Sequence, residues 1–166
     1  MTKHRLFISY YHEDEYYRNK FEELFGDLFI NTSVKYGEID DSLSTEYIKR
    51  LIREKHITNS SVVVVLCGPK TYCRKHVDWE IYAGLYNNAG LIGLILPNHN
   101  DYNKTTWTSD SYPSRLEDNL RTKYAQLYYW TTNQQTMINH IEYAFNNRNQ
   151  NLIDNSRRQM KYNRCE

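Results

Sequence analysis

Four consecutive valines lie in the segment SVVVVLCG, residues 61–68, whose apolar residues follow one another without a polar interruption. A strand with one face in water alternates apolar and polar residues, whereas a strand covered on both faces does not. The segment GLIGLILP, residues 90–97, has the same unbroken apolar character. Two such strands predict a parallel β-sheet with helices packed against both of its faces.

Four other segments space their apolar residues as one face of an amphipathic helix does. The first follows Glu13, Asp14 and Glu15, whose charges suit the positive end of a helix dipole. The second follows Ser44 and Thr45, two residue types that cap helices. The apolar stripes are Tyr17, Phe21, Leu24, Phe25 and Leu28; Ile48, Leu51 and Ile52; Val77, Ile81 and Leu85 within residues 74–88; and Met137, Ile141, Ala144 and Phe145.

Further strands are predicted at residues 5–10, 33–36 and 124–130, and a long polar loop at residues 98–114. Five strands that alternate with helices predict an α/β fold, a flavodoxin-like three-layer sandwich with a five-stranded parallel sheet in the order 2-1-3-4-5. Such sheets bind ligands beyond the carboxyl ends of their strands, where the strand order reverses. The expected site therefore lies between the ends of strands one and three.

Length and charge limit the classes of partner. The chain has 166 residues, enough for one hydrophobic core, and a net charge of +1, which argues against an electrostatic nucleic-acid binder. No apolar run approaches the roughly 18 residues that a membrane span needs. We therefore expect no nucleic-acid partner and no membrane partner. Residues 1–147 are predicted to form the domain, and the polar residues 148–166 a tail that frays.

The three cysteines are Cys67, Cys73 and Cys165. Their odd number and the lack of an export signal predict reduced thiols and a cytoplasmic location. Cys67, Cys73 and His76 do not have the spacing of a zinc site, so no metal is expected. The sequence also lacks the glycine-rich dinucleotide motif, the P-loop and the nucleophile elbow, and we expect no bound cofactor.

Two groups of polar residues fall at the expected site. Ser9, Tyr10 and Tyr11 end the first strand, and Glu80 lies beside the buried stripe of the helix that follows strand three. Topology therefore places Glu80 across the crevice from Ser9. From the pattern alone, a solvated helix residue, or the partner of a basic residue one turn away, is the simpler interpretation of Glu80.

The same segments carry a family resemblance. FISYYHED, residues 7–14, resembles the first box of TIR domains, and EIDDS, residues 38–42, falls where these domains have the loop that covers the active site. HVDWE, residues 76–80, resembles their aromatic-Cys-x-x-Glu motif, with His76 and Val77 at the aromatic and cysteine positions. The match covers roughly residues 3–145. The sequence is most similar to the compact bacterial TIR-like family that includes the signal-synthesising subunit of Thoeris anti-phage systems.

The resemblance implies that NAD⁺ is the substrate and that Glu80 is the catalytic residue. The residues that it implies for substrate binding are Ser9, Tyr10, Tyr11, Asp14, Asp40, Asp41 and His76. From the residues alone, Asp14 is more often a helix cap and loop anchor than a ligand, and Asp40 and Asp41 are most simply turn residues. The implied reaction releases nicotinamide and yields a cyclic or conjugated ADP-ribose derivative.

The resemblance also implies partners. A separate effector protein is expected to read the product, and a phage-derived trigger or self-association to switch synthesis on. Two other functions stay open: a non-catalytic TIR interaction module, and a nucleoside deoxyribosyltransferase-like enzyme with the same fold and a glutamate in its pocket.

Overall fold

The computed structural model describes residues 3–32, 44–51 and 57–165. Within these ranges five parallel strands form one sheet in the order β2-β1-β3-β4-β5, which confirms the predicted fold class. The strands are β1 (Arg5–Ser9), β2 (Ile30–Asn31), β3 (Val62–Cys67), β4 (Gly90–Ile95) and β5 (Gln126–Tyr129). The helices are α1 (Glu15–Phe25), α2 (Thr45–Leu51), α3 (Lys75–Tyr86), α4 (Ser114–Arg121) and α5 (Gln134–Asn146).

The sheet divides the core into two layers, as its unbroken apolar strands predicted. Alternate residues of β1 and β3 point to opposite faces. On one face Phe7 and Val63 pack with side chains of α2, α3 and α4, and on the other Ile8 and Val64 pack with side chains of α1 and α5. Every residue of β3 and β4 is buried.

The second strand, which pairs with β1, lies earlier in the chain than predicted. The register joins Arg5 to Ile30 and Leu6 to Asn31. Residues 33–36, where the sequence predicted this strand, lie outside the described residues.

Helix α4 is an element that the sequence analysis did not assign. Besides Leu116, its buried residues are Arg115, Glu117 and Asn119. Its apolar stripe consists of Leu116 and Leu120 alone, so the signal that reveals the longer helices is weak here.

The expectation of a frayed C-terminal tail is wrong, although the predicted boundary at residue 147 stays a prediction. Asp154 exchanges two hydrogen bonds with the Asn119 side chain, its N–H donating at 2.9 Å and its carbonyl accepting at 2.8 Å. Arg157 donates two hydrogen bonds to the Asp118 carboxylate. Polar contacts with helix α4 therefore hold the segment against the domain.

Two of the three cysteines form a disulfide, which corrects the expectation of three reduced thiols. Cys73 and Cys165 are bonded across a sequence separation of 92, with their Cα atoms 5.5 Å apart. Only the docking of the tail brings them together, and the sequence gives no signal of that docking. Cys67 is a free, buried thiol.

None of the helices in the described ranges has both the length and the apolar content needed to cross a membrane.

Candidate functional site

Ser9 and Glu80 meet at the carboxyl edge of the sheet. The Ser9 hydroxyl donates a hydrogen bond of 2.9 Å to Oε1 of Glu80. Ser9 is fully buried and Glu80 is 7% exposed. The structure thus brings together the two residues that topology placed across the crevice, and the alternative of a solvated Glu80 is wrong.

A close approach of helix α3 to the sheet aims Glu80 inward. Gly84 lies one turn after Glu80 on the same face of the helix. A β-carbon at Gly84 would lie 2.5 Å from Cγ2 of Val63, so a side chain there would push the helix away from β3. The glycine lets α3 lie close to β3, which brings the Glu80 carboxyl within reach of Ser9.

Burial changes the acidity of the Glu80 carboxyl. It raises the pKa of Glu80 to about 8, and the hydrogen bond from Ser9 opposes this by favouring the carboxylate. At neutral pH the free protein therefore holds Glu80 largely protonated. A bound cation next to the carboxyl favours its ionised form. The site is suited to a ligand that brings positive charge.

A second buried carboxyl lies at the same edge of the sheet. Asp14, 3% exposed, ends a single 3₁₀ turn before α1, and its Oδ1 accepts a hydrogen bond of 3.0 Å from the side chain of Asn98. Its Oδ2 has no hydrogen-bond partner in the described part of the chain. Burial raises the pKa of Asp14, and the hydrogen bond from Asn98 opposes this.

Asn98 is a residue of this edge that the sequence analysis missed. It comes shortly after β4, and Asp14 comes shortly after β1. Its position just beyond the end of a parallel strand was the available signal, since all such ends meet at one edge. Asp14 and Asn98 therefore connect the segments that follow β1 and β4.

The other predicted site residues are distributed around the Ser9–Glu80 contact. Tyr10 packs against the core layer of α1 and α5, on the face of the sheet opposite α3. The Tyr11 ring lies 4.3 Å from the Arg74 guanidinium, just before α3. The His76 ring stacks on Trp79 with centroids 5.2 Å apart. Asp40 and Asp41 lie outside the described residues.

The segment between β4 and α4, predicted as a long loop, is ordered around a buried aspartate. The carboxylate of Asp101 accepts hydrogen bonds from the N–H and hydroxyl of Thr108, each 2.6 Å, and from the Tyr112 hydroxyl at 2.9 Å. Burial of Asp101 opposes ionisation, but these bonds outweigh it and lower the pKa to about 2. The hydrogen bonds to Asp101 therefore order the loop.

Two further features bear on ligand binding. A cavity of about 580 Å³ lies at the outer edge of the sheet beside β5, lined by Tyr102, Trp107, Tyr129 and other side chains, and Glu80 is not among them. Among residues 3–32, 44–51 and 57–165, no cluster of three or more His, Cys, Asp or Glu side chains is arranged to hold a metal ion.

Gly68 provides a test of the packing at this edge. A β-carbon there would lie 2.1 Å from Oδ2 of Asp14, so we expect Gly68→Ala to lower the free energy of unfolding by about 1–3 kcal/mol. Urea denaturation measures the loss. The Asp14→Ala, Gly68→Ala double variant is the control, since removing the carboxylate removes the clash and makes the two effects non-additive. A single variant as stable as the parent would contradict the contact.

Comparison with known proteins shows the family of the chain. A family model described as the TIR-like domain of the Thoeris protein ThsB matches residues 7–101, more than half of the chain. The match includes Ser9, Asp14, Glu80 and Asn98. No curated protein matches the chain.

Proposed function

The chain belongs to the TIR-like domain family of the Thoeris protein ThsB, and from this premise we propose that it cleaves NAD⁺ in anti-phage defence. The observation that carries the proposal is the buried Ser9–Glu80 contact at the carboxyl edge of the sheet. In this reaction the bond between ribose and nicotinamide breaks, and a signalling nucleotide derived from ADP-ribose is formed.

The buried carboxyl of Glu80 supports the proposed bond cleavage. As the ribosyl–nicotinamide bond breaks, its electron pair leaves with the pyridinium nitrogen, and positive charge develops on the ribose. A carboxylate held beside the sugar stabilises that charge, and it does so most effectively in a site that excludes water. We assign this role to Glu80. The leaving nicotinamide is neutral, so the second carboxyl that protonates the leaving group in ordinary glycosidases is not needed.

Substrate charge sets the ionisation state of Glu80. In the free protein, burial raises the pKa of this carboxyl to about 8. NAD⁺ carries a positive nicotinamide ring, which favours the carboxylate when it lies nearby. Ser9 keeps the carboxyl in place by donating to Oε1. Binding of the substrate thus produces the charged form that the transition state requires.

The fate of the ribosyl cation decides the product. Water gives ADP-ribose, a nucleophile within the same molecule gives a cyclic product, and a second small molecule gives a conjugate. The burial of Ser9 and Glu80 disfavours water, so we propose a cyclic or conjugated product. Tyr11 and His76 are the proposed contacts to the substrate on the α3 side, and Asp14 a contact at the β4 side.

Membership of the Thoeris family supports the proposal that the chain acts with a partner protein. We propose that the reaction takes place in the cytoplasm, that a separate effector protein reads the product, and that a phage component or self-association activates synthesis. A chain that makes a messenger needs no effector site of its own.

Incubation with NAD⁺ followed by chromatography of the products tests the proposal. We expect nicotinamide and an ADP-ribose derivative from the parent protein and neither from Glu80→Gln. The assay is run at rising protein concentration and with lysate of phage-infected cells, because assembly or a trigger completes the site. Turnover of deoxynucleosides instead would indicate a deoxyribosyltransferase, and inertness under all conditions an interaction module.

The rate of nicotinamide release is expected to depend on pH. Because catalysis uses the carboxylate and the pKa of Glu80 is about 8 in the free protein, kcat/KM should rise about tenfold per pH unit below that value and level off above it. Initial rates at limiting NAD⁺ across this range measure the profile. A profile that is flat, or that falls as pH rises toward 8, would contradict the assignment.

Glu80 also makes stability depend on pH. Between the ordinary pKa of 4.5 and about 8, the folded protein keeps a proton that the unfolded chain has released. Stability is therefore expected to fall as pH rises through this window, and the fall should be smaller in Glu80→Gln. Thermal unfolding of both proteins at several pH values provides the comparison.

A further inference from the structure

The C-terminal segment, residues 153–165, contacts helix α3 through Asp78 and Trp79. The indole N–H of Trp79 donates a hydrogen bond of 2.7 Å to the carbonyl of Met160. The N–H of Met160 donates at 2.8 Å to Oδ2 of Asp78. Asp78 and Trp79 are the two residues before Glu80, and both are buried. The segment thus contacts α3 immediately before the residue proposed to be catalytic.

The same segment forms hydrogen bonds at the start of α3. The N–H of Lys75, the first residue of the helix, donates at 2.9 Å to Oδ1 of Asn163. The N–H of Arg164 donates at 2.9 Å to the carbonyl of Cys73. The first amides of a helix have no partner within it, so these bonds fix where and how α3 begins.

The Cys73–Cys165 disulfide makes this attachment covalent. It joins the turn before α3 to the end of the segment. The residues of α3 that make polar contacts with the segment, Lys75, Asp78 and Trp79, lie between Cys73 and Glu80 in the chain. Helix α3 is thus held from two sides. Gly84 and Glu80 lie against the sheet, and Lys75, Asp78 and Trp79 contact the C-terminal segment.

We propose that residues 153–165 form a strap that positions Glu80 against Ser9, and that the Cys73–Cys165 disulfide makes this positioning sensitive to redox state. The proposal rests on the proposed NAD⁺ cleavage for its consequence, but the strap itself is a property of the fold. Asp78 and Trp79 act here as positioning residues, since both act through the helix that carries Glu80.

The redox step is thiol–disulfide exchange with a dithiol. A thiolate of the dithiol attacks one sulfur of the Cys73–Cys165 bond, and its second thiol completes the exchange. The protein gains two electrons and two protons as two thiols, and the dithiol is oxidised to its disulfide. Cys67 takes no part, because it is buried and its burial raises the pKa of the thiol far above the usual range. In a reducing compartment, disulfides of this kind are typically transient or redox-sensing.

The experiment compares the oxidised full-length protein with the same protein reduced by dithiothreitol. Hydrogen–deuterium exchange of residues 75–86 reports on α3, and exchange of α5 serves as the internal reference. Steady-state nicotinamide release gives kcat and KM. Cys165→Ser is the matched variant that cannot form the bond, and Tyr162→Ala is the control within the strap, since the Tyr162 side chain is 79% exposed.

We expect reduction to speed exchange in α3 several-fold with α5 unchanged, and to lower kcat about tenfold with little change in KM, since small misplacements of a catalytic group cost rate. Cys165→Ser should behave as the reduced protein and be insensitive to dithiothreitol. Tyr162→Ala should keep the exchange and the kcat of the parent in the oxidised state.

Three results would overturn the strap. These are equal exchange of α3 in both redox states, an increase spread over the whole protein, and an unchanged kcat when α3 has loosened. If the parent releases no nicotinamide, the proposed function fails, and the exchange of α3 still decides whether the strap exists.

Discussion

Replacing Glu80 by Gln is expected to lower the kcat of nicotinamide release by about 10³-fold. Glutamine has nearly the same size and keeps an oxygen that accepts the hydrogen bond from Ser9, but it cannot carry the negative charge that stabilises the ribosyl cation. Removing one preorganised electrostatic group from a buried site typically costs about 10²–10³-fold in rate. Steady-state kinetics with NAD⁺ measure the change in kcat.

Two further variants separate charge from shape. Glu23→Gln makes the same chemical change at an exposed position on α1 and should leave kcat unchanged. Ser9→Ala removes the hydrogen bond to Glu80 and should lower kcat by about tenfold, the value of one hydrogen bond to a charged group. A Glu80→Gln protein that keeps the parent kcat would remove Glu80 from the mechanism.

Arg115→Leu is expected to lower the free energy of unfolding by about 3–5 kcal/mol. The Arg115 guanidinium has no exposed surface, and its Nε lies 2.9 Å from Oδ1 of Asp78, whose side chain is 4% exposed. The substitution leaves the Asp78 carboxylate buried with the Met160 N–H as its remaining donor among the described residues. Breaking a buried ion pair at one partner costs this much because a charge is left uncompensated. Urea denaturation followed by circular dichroism gives the value.

Arg121→Leu is the matched control on the same helix. Arg121 is half-exposed and pairs with Asp118 and with the buried Glu117, whose carboxylate keeps two backbone N–H donors when Arg121 is removed. The expected loss is therefore smaller, about 1 kcal/mol. Adding Asp78→Asn to Arg115→Leu should recover part of the stability, because the double variant no longer buries an unpaired charge. Equal losses for Arg115→Leu and Arg121→Leu would show that the buried pair is not worth more than a surface one.

The sheet was predictable from the sequence because a strand that is buried on both faces consists of apolar residues throughout. Residues 62–67 and 90–95 are apolar throughout, and each of them is buried. Helix α3 was predictable for a related reason, since Val77, Ile81 and Leu85 recur at the helical period and are all buried. Where an element buries apolar side chains at a fixed period, sequence alone identifies it.

Elements held by polar contacts were not predictable. Helix α4 buries Arg115, Glu117 and Asn119, and these resemble the exposed face of another helix. The C-terminal strap is attached by hydrogen bonds to single atoms of Asp78 and Trp79, which leave no period at all. Such contacts depend on positions that only the folded chain defines.

The candidate site was predictable where topology decides it. Ser9 and Glu80 were placed together because strand ends in a parallel sheet share one edge. Tyr10 was placed in the crevice for the same reason, but successive residues of an extended chain point to opposite faces, and Tyr10 packs on the side of α1 and α5. Topology gives the edge, and side-chain alternation decides which residues face the ligand.

The contact between Ser9 and Glu80 joins residues 71 positions apart. It exists only after β1 has paired with β3 and α3 has docked, so a partly synthesised or misfolded copy leaves Glu80 as an ordinary solvated acid. A growing chain on the ribosome therefore lacks the contact on which the proposed reaction depends.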